Sequence, residues 1–298
     1  MTGALTAGLV RLVEADAHEG PTWFADEDAL YVTTTRSVAG TSILRIALDG
    51  LLPVGADAVT VVRGDANLAN GMTADAAGRL IVCEQGTRTT PARISAVDRA
   101  TGAATTLVDS YRGRPLNSPN DVVVRRDSTI WFTDPFYGAA QGFRNAPQLP
   151  DGVYRLEPRT HVLTVVSTDF DHPNGLAFSP DERVLYVADS GADRGDGRLD
   201  PRRPHHVLAF DVFGDRLGAA DLFAEVPGAP DGVAVDNDGR VYVTGAGGVH
   251  VFTATGEPIG LIALPGAVNL TAGPAGLLFV TTDTGVWAVA PGAEGVLP

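Results

Sequence analysis

Six copies of one short pattern recur along the 298 residues. A repeat at fixed period restricts the fold more than any single residue does. Each copy begins with a polar residue, runs through a short apolar segment and a Gly/Asp turn, and enters a β-branched or aromatic strand ending in Thr, Ala, Asp or Glu. The copies are EGPTWFADEDALYVTTT from Glu19, NGMTADAAGRLIVCEQ from Asn70, NDVVVRRDSTIWFTD from Asn120, NGLAFSPDERVLYVAD from Asn174, DGVAVDNDGRVYVTG from Asp231 and NLTAGPAGLLFVTTD from Asn269. They span 250 residues over five intervals, a mean of 50, which accommodates four short strands and their turns.

A helical solenoid of similar period needs apolar spacing of three and four, whereas these segments alternate at two or run continuously apolar. Third-strand candidates follow each copy at 42–46, 93–97, 152–156, 206–210, 248–252 and 286–289, and fourth strands at 59–62, 105–108, 163–166, 221–224 and 259–263. The sixth unit lacks a fourth strand, and residues 8–13 supply one from the other end of the chain. The expectation is an all-β, six-bladed β-propeller, one domain over 1–298, whose last blade is completed by the N-terminal strand, so that edges otherwise exposed are paired. The 35 glycines and 20 prolines suit many short strands and tight turns.

Equivalent residues of a propeller's repeats stand at one height around a common axis, so the first residues of the copies form a ring: Glu19, Asn70, Asn120, Asn174, Asp231 and Asn269. All carry side-chain oxygen and none is His or Cys, which disfavours the usual zinc and copper sites. Carboxylates and amide carbonyls are hard ligands that suit Ca²⁺, Mg²⁺ or Mn²⁺. Two carboxylates facing one channel without a cation are costly, because one must take up a proton. Asn-Gly and Asp-Gly are also ordinary turn dipeptides, and on that ground Asn70 and Asn269 are the ring members expected to be structural.

A formal charge of −14 disfavours nucleic acid and anionic membranes as partners. The single cysteine, Cys83, excludes an intramolecular disulfide. Residues 1–10 lack the basic start of a signal peptide, and no apolar run is long enough to span a bilayer, so the expected location is the cytoplasm. No GxSxG elbow is present, which argues against a serine hydrolase.

HEGPTW at 18–23, LNSPNDVV at 116–123, IWFTDPFYG at 130–138, HPNGLAFSPDERVLYVADS at 172–190 and PDGVAVDNDGRVYV at 230–243 resemble the SMP-30/gluconolactonase family, and its bacterial gluconolactonase-like members most of all. The resemblance implies a propeller hydrolase whose divalent metal is held by Glu19, Asn174 and Asp231, with Asn120 beside it as a fourth ligand or as a contact to water and substrate. Ca²⁺ is the first choice, with Mn²⁺, Mg²⁺, Zn²⁺ or Fe²⁺ as alternatives. It further implies opening of a sugar lactone or similar cyclic ester; hydrolysis of organophosphate fluorides, as by diisopropylfluorophosphatase-like relatives, and a non-enzymatic calcium-binding propeller are the competing readings. Ser118 stands where animal members carry arginine, and Gln85 where bacterial relatives often carry histidine, so substrate contacts do not transfer.

Lactone hydrolysis needs a polarised carbonyl, a water nucleophile and a stabilised oxyanion. Asp231 is expected to act in proton transfer or as a direct nucleophile, and Asn120 to orient water or substrate. Arg114, Asn117 and Tyr137, on loops near the channel mouth, are candidate contacts to sugar hydroxyls. His18 is placed to support Glu19. The insertion 191–206, with Arg194, Arg198, Arg202 and Arg203, is a candidate lid for an anionic or polyhydroxyl substrate.

Overall fold

The computed structural model describes residues 8–37, 40–48, 53–196 and 198–290. It consists of six four-stranded antiparallel sheets. Blade 1 is Glu19–Phe24, Ala29–Thr33, Ile43–Ala47 and Val59–Arg63; blade 2 is Ala69–Ala74, Leu80–Glu84, Arg93–Val97 and Ala104–Val108. Blade 3 is Val122–Val124, Ile130–Thr133, Val153–Glu157 and Val162–Ser167; blade 4 is Pro173–Phe178, Val184–Asp189, His206–Phe213 and Arg216–Glu225. Blade 5 is Val233–Val235, Val241–Gly245, Gly248–Phe252 and Pro258–Ala263. Blade 6 has Ala267–Ala272, Leu278–Thr282 and Gly285–Val289, and its outermost strand is Leu9–Glu14, paired antiparallel to Gly285–Val289 with Leu9 opposite Val289. A two-strand hairpin, Ser110–Tyr111 with Arg114–Pro115, and a short helix, Tyr137–Ala140, are additions that the repeat does not foretell.

The first strand of each blade lies against the first strands of both neighbours, which closes a ring around the axis. Six apolar clusters lie between successive blades. One joins Ile81, Cys83 and Ile94 of blade 2 to Val122, Phe132 and Tyr154 of blade 3; another joins Leu12, Phe279 and Val286 of blade 6 to Leu30, Val32 and Ile46 of blade 1. A sheet packed on both faces needs apolar residues on both, which is why the second strands read as continuous runs such as Leu80–Cys83 rather than as an alternation.

A threonine at or next to the end of four second strands joins one blade to the next. Thr33 Oγ1 donates to Asn70 O at 3.0 Å, Thr133 to Asn174 O at 2.8 Å, Thr244 to Val268 O at 2.6 Å and Thr281 to His18 O at 2.7 Å. Cys83 and Ala188 occupy that place in blades 2 and 4. There Asn70 Nδ2 donates to Asn120 O at 3.1 Å and Ser190 Oγ donates to Pro230 O.

The glycines of the Asn-Gly and Asp-Gly pairs lie in or beside the first strands, where adjacent backbones approach closely. Gly175 N donates to Asp231 O at 3.0 Å, and a Cβ at Gly175 would stand 2.2 Å from that oxygen and 2.9 Å from Gly232 Cα. Both are backbone atoms that cannot swing aside. Gly175→Ala is therefore expected to destabilise the protein by roughly 2–3 kcal/mol through overpacking, read as a fall of about 5 °C in melting temperature. An unchanged Tm would show that the two strands are free to separate.

Candidate functional site

The first strands bring the ring residues to one end of the channel, around a cavity of about 220 Å³ lined by His18, Glu19, Asn70, Asn120, Asn174 and Asp231 of the expected set. Tyr137, Asp193, Arg36, Thr34, Thr41 and Gln85 complete most of the wall. Four first strands break register where the ring residue sits, between Glu19 and Thr22, Ala69 and Met72, Pro173 and Leu176, and Ala267 and Leu270. Such bulges re-aim side chains. Here they turn the polar side chain toward the axis while the rest of the strand keeps its apolar contacts.

Glu19, Asn120 and Asn174 are buried, and Asp231 keeps part of its surface open to the cavity. Asn120 Oδ1 and Asn174 Oδ1 are buried without any hydrogen-bond partner. Asn174 Nδ2 is committed to Ser190 Oγ at 3.3 Å, which leaves its carbonyl oxygen as the free end. Two unpartnered amide oxygens stand beside two carboxylates, and such oxygens are costly to bury unless a donor or cation meets them. Among the described residues no group of three or more His, Cys, Asp or Glu side chains is placed to hold a metal. The convergent donors are mixed carboxylate and amide oxygens, which fit a hard divalent cation.

Asn70 and Asn269 do other work. Asn70 holds blade 3 through the bond described above, and Asn269 Nδ2 donates to Glu19 Oε2 at 2.6 Å, fixing one carboxylate oxygen in place. Asn269 Nδ2 also stands 3.5 Å from Asp121 Oδ2, a third carboxylate at the axis. Asp121 follows a ring residue at the position where blades 1, 2, 4 and 5 carry glycine. A Cβ at Gly71 would lie 2.3 Å from Asp121 Oδ1, so the glycine makes room for the acid. The sequence signal was a single acid in a column of glycines, and the rule that adjacent strand residues face opposite sides hid it.

The three acids share one buried environment. Burial pushes Glu19 well above the usual carboxylate range, and Asp231 and Asp121 add to the rise against hydrogen bonds from Asn269 and Gly20 N–H. Burial raises Asp121 to about 7, opposed by hydrogen bonds from Val122 N–H and Asn269 and aided by Asp231. Burial also raises Asp231 to about 6, with Asp193 and Asp283 adding and His18 and Asn174 opposing. His18 Nδ1 meets Asp283 Oδ1 at 2.7 Å. Burial pulls the imidazole down, but Asp283, Asp231 and Asp16 outweigh it and leave its pKa raised. The ring of His18 is thus turned to Asp283, and in its protonated form it favours the ionised form of Asp231.

Of the three expected substrate contacts, only Tyr137 lines the cavity, with its buried hydroxyl unpartnered. Asn117 is buried away from it, its Nδ2 donating to Asp134 O at 3.3 Å and Leu149 O at 3.2 Å. Arg114 is exposed and donates to Gln148 O at 3.2 Å. The LNSPND segment has a supporting function: Asp134 accepts from Asn117 N and Ser118 N, both at 2.8 Å, which sets the loop that delivers Asn120. The insertion 191–206 does reach the cavity, through Asp193 and not through an arginine. Arg203 is turned back onto Asp171, and Arg202 onto Asp200 at 2.8 Å.

Residues 17–284 match the SMP-30/Gluconolactonase/LRE-like region. The chain belongs to this family. A gluconolactonase of Zymomonas mobilis subsp. mobilis is 31% identical over 264 residues, 82% of this chain and 69% of that protein. The lactonohydrolase oryL of Aspergillus oryzae is 32% identical over 180 residues, 55% of this chain and 41% of that protein. Among solved structures, a gluconolactonase from Xanthomonas campestris superposes with a TM-score of 0.81 at 35% identity, covering 96% of this chain and 90% of that one. No helix among the described residues is long and apolar enough to cross a membrane.

Proposed function

We propose that this SMP-30 family chain hydrolyses a sugar lactone or similar small cyclic ester, using one divalent cation, Ca²⁺ first among the candidates, held by Glu19, Asn120, Asn174 and Asp231. The observation that carries it is the pair of unpartnered amide oxygens beside two carboxylates whose ionisation burial opposes. The gluconolactonase and lactonohydrolase relatives support the reaction class. When bound, the cation supplies Lewis acidity to the ester carbonyl and holds the charge that develops on its oxygen.

The chain's own residues supply the rest. Asp231, in part open to the cavity, accepts the proton of the attacking water as its oxygen bonds to the carbonyl carbon. The ring C–O bond then breaks, and the alkoxide leaving group takes the proton held by Asp231, which gives the hydroxy acid and restores the carboxylate. Asn120 orients water through its amide without changing the charge of the site. Tyr137 offers its unpartnered hydroxyl to a substrate oxygen, and Asp193 accepts from sugar hydroxyls.

Chelator-stripped protein, assayed by acid release on a panel of aldonolactones and on a fluorophosphate with Ca²⁺, Mn²⁺, Mg²⁺, Zn²⁺ or Fe²⁺ returned singly, tests this. Turnover of a lactone that depends on the returned ion is expected. Hydrolysis of the fluorophosphate alone, or of nothing despite measurable ion binding, would overturn it.

A further inference from the structure

The cavity wall contributed by blade 1 and the start of blade 2 is chemically unlike the rest. Glu19, Asp231, Asp193 and the nearby Asp121 make the channel acidic, yet Arg36 lines the same cavity and is the only arginine among its described lining residues. The Arg36 guanidinium lies over the Phe143 ring, 4.4 Å from its centre, a cation–π contact that leaves its N–H donors without a carboxylate. No carboxylate of a described residue pairs with it. Its neighbours Arg63 and Arg93 are committed elsewhere, both holding the buried Glu84, at 3.3 and 2.7 Å.

Beside Arg36, Thr41 Oγ1 is buried on the cavity wall with no partner, although the residue is only 4% exposed. The Gln85 amide lines the same stretch and makes no side-chain hydrogen bond with any described residue. In a chain of net charge −14, an arginine left unpaired beside an unanswered hydroxyl and amide is a set of donors without an acceptor. Such a fork matches a carboxylate or phosphate oxygen pair.

We propose that Arg36, with Thr41 and Gln85, binds an anionic substituent of the substrate, so that the preferred lactone carries a carboxylate or phosphate remote from its ring ester. This rests on the lactonase reading above and narrows it to acidic sugar lactones. The ester end then meets Glu19, Asn120, Asn174 and Asp231, while the negative end meets Arg36. Neutral lactones lose the interaction with Arg36 and bind more weakly.

The test uses two readouts. Calorimetric binding of hydroxy-acid products to the Ca²⁺-loaded protein requires no turnover: a hexaric acid dianion is expected to bind at least about tenfold more tightly than the corresponding hexonate. Arg36→Gln should erase that difference, and Arg36→Lys restore part of it. In turnover, kcat/KM for a hexarolactone or a 6-phosphohexonolactone should exceed that for the neutral hexonolactone, and the better of the two identifies carboxylate or phosphate. Arg36→Gln should lower that value about 30-fold while costing the neutral lactone within about threefold; Thr41→Val should act in the same direction. Arg36 is exposed, so the substitution leaves the core untouched.

Equal affinity for hexarate and hexonate, or equal loss on both lactones in Arg36→Gln, would overturn the proposal even if lactonase activity is present. Should no lactone be turned over, the function proposed above fails, while the binding comparison still decides for or against the anion site.

Discussion

Adding saturating Ca²⁺ to the chelator-stripped protein at pH 8 raises its melting temperature by about 8 °C, and the same addition at pH 5 raises it by less than about 3 °C. An ion at a thousandfold excess over its Kd stabilises by about 4 kcal/mol, and a chain of this size gains about 2 °C per kcal/mol. The pH dependence follows from the acids. Glu19, Asp121 and Asp231 all have folded-state pKa values above the ordinary ones, near 7 for Asp121 and 6 for Asp231. A raised pKa contributes stability that is present below the unfolded value and is lost as pH rises through the folded one. The cation-free protein is thus most stable near pH 4 on this account and weakens up to pH 7. The ion reverses that loss at pH 8, whereas at pH 5 it must displace protons first. Equal shifts at both pH values, measured by scanning calorimetry, would mean that the ion binds elsewhere.

Asp231→Asn separates activity from stability. Lactone kcat/KM falls by about a thousandfold or more, since the substitution removes an anionic ligand and the proton acceptor together. The cation-free variant nonetheless melts about 4 °C higher than the parent at pH 8, because an ionised buried carboxylate costing about 2 kcal/mol has become neutral at constant shape. At pH 4 the gain vanishes, as the parent carboxyl is then protonated. Ca²⁺ no longer stabilises the variant as it does the parent. An Asp231→Asn protein that is less stable at pH 8 and still active would show Asp231 to be a structural acid like Asp134.

That contrast between acids is where sequence reasoning reaches its limit. The repeat made the blades legible because burial on both faces and a fixed period both constrain composition: the candidate at 93–97 is the strand Arg93–Val97, and that at 248–252 is Gly248–Phe252. Glu19, Asn120, Asn174 and Asp231 were legible because equivalent positions converge on one axis. Asp121 was not, because it stands outside the first strand of its blade, Val122–Val124, where period-two alternation assigns no face. Arg114 and Asn117 looked like substrate contacts because polar loop residues near a channel mouth read alike whether they point inward or bind backbone. Only the structure distinguishes them: Asn117 lies outside the cavity with its Nδ2 bound to carbonyls of Asp134 and Leu149, while Tyr137, twenty residues on, lines the cavity with its hydroxyl open. The unpaired state of Arg36 is likewise a negative fact about every other side chain, which no local pattern encodes.

The pairing of Leu9–Glu14 with Gly285–Val289 has a consequence in time. Arg11 NH2 donates to Thr284 O across 273 residues of chain. At a synthesis rate of about 5–20 residues per second, the first strand emerges on the order of 15–50 s before its partner exists. During that interval Leu12, buried in the finished protein, has no sheet to join, and the blades made in between have no closed ring to hold them. The nascent chain carries an open edge at each end of a growing arc, and the arc becomes a circle only once Gly285–Val289 has been made. Chains that stop before Gly285–Val289 is made are therefore expected to accumulate as edge-exposed species that associate with one another, a hazard set by topology and independent of the chemistry at the axis.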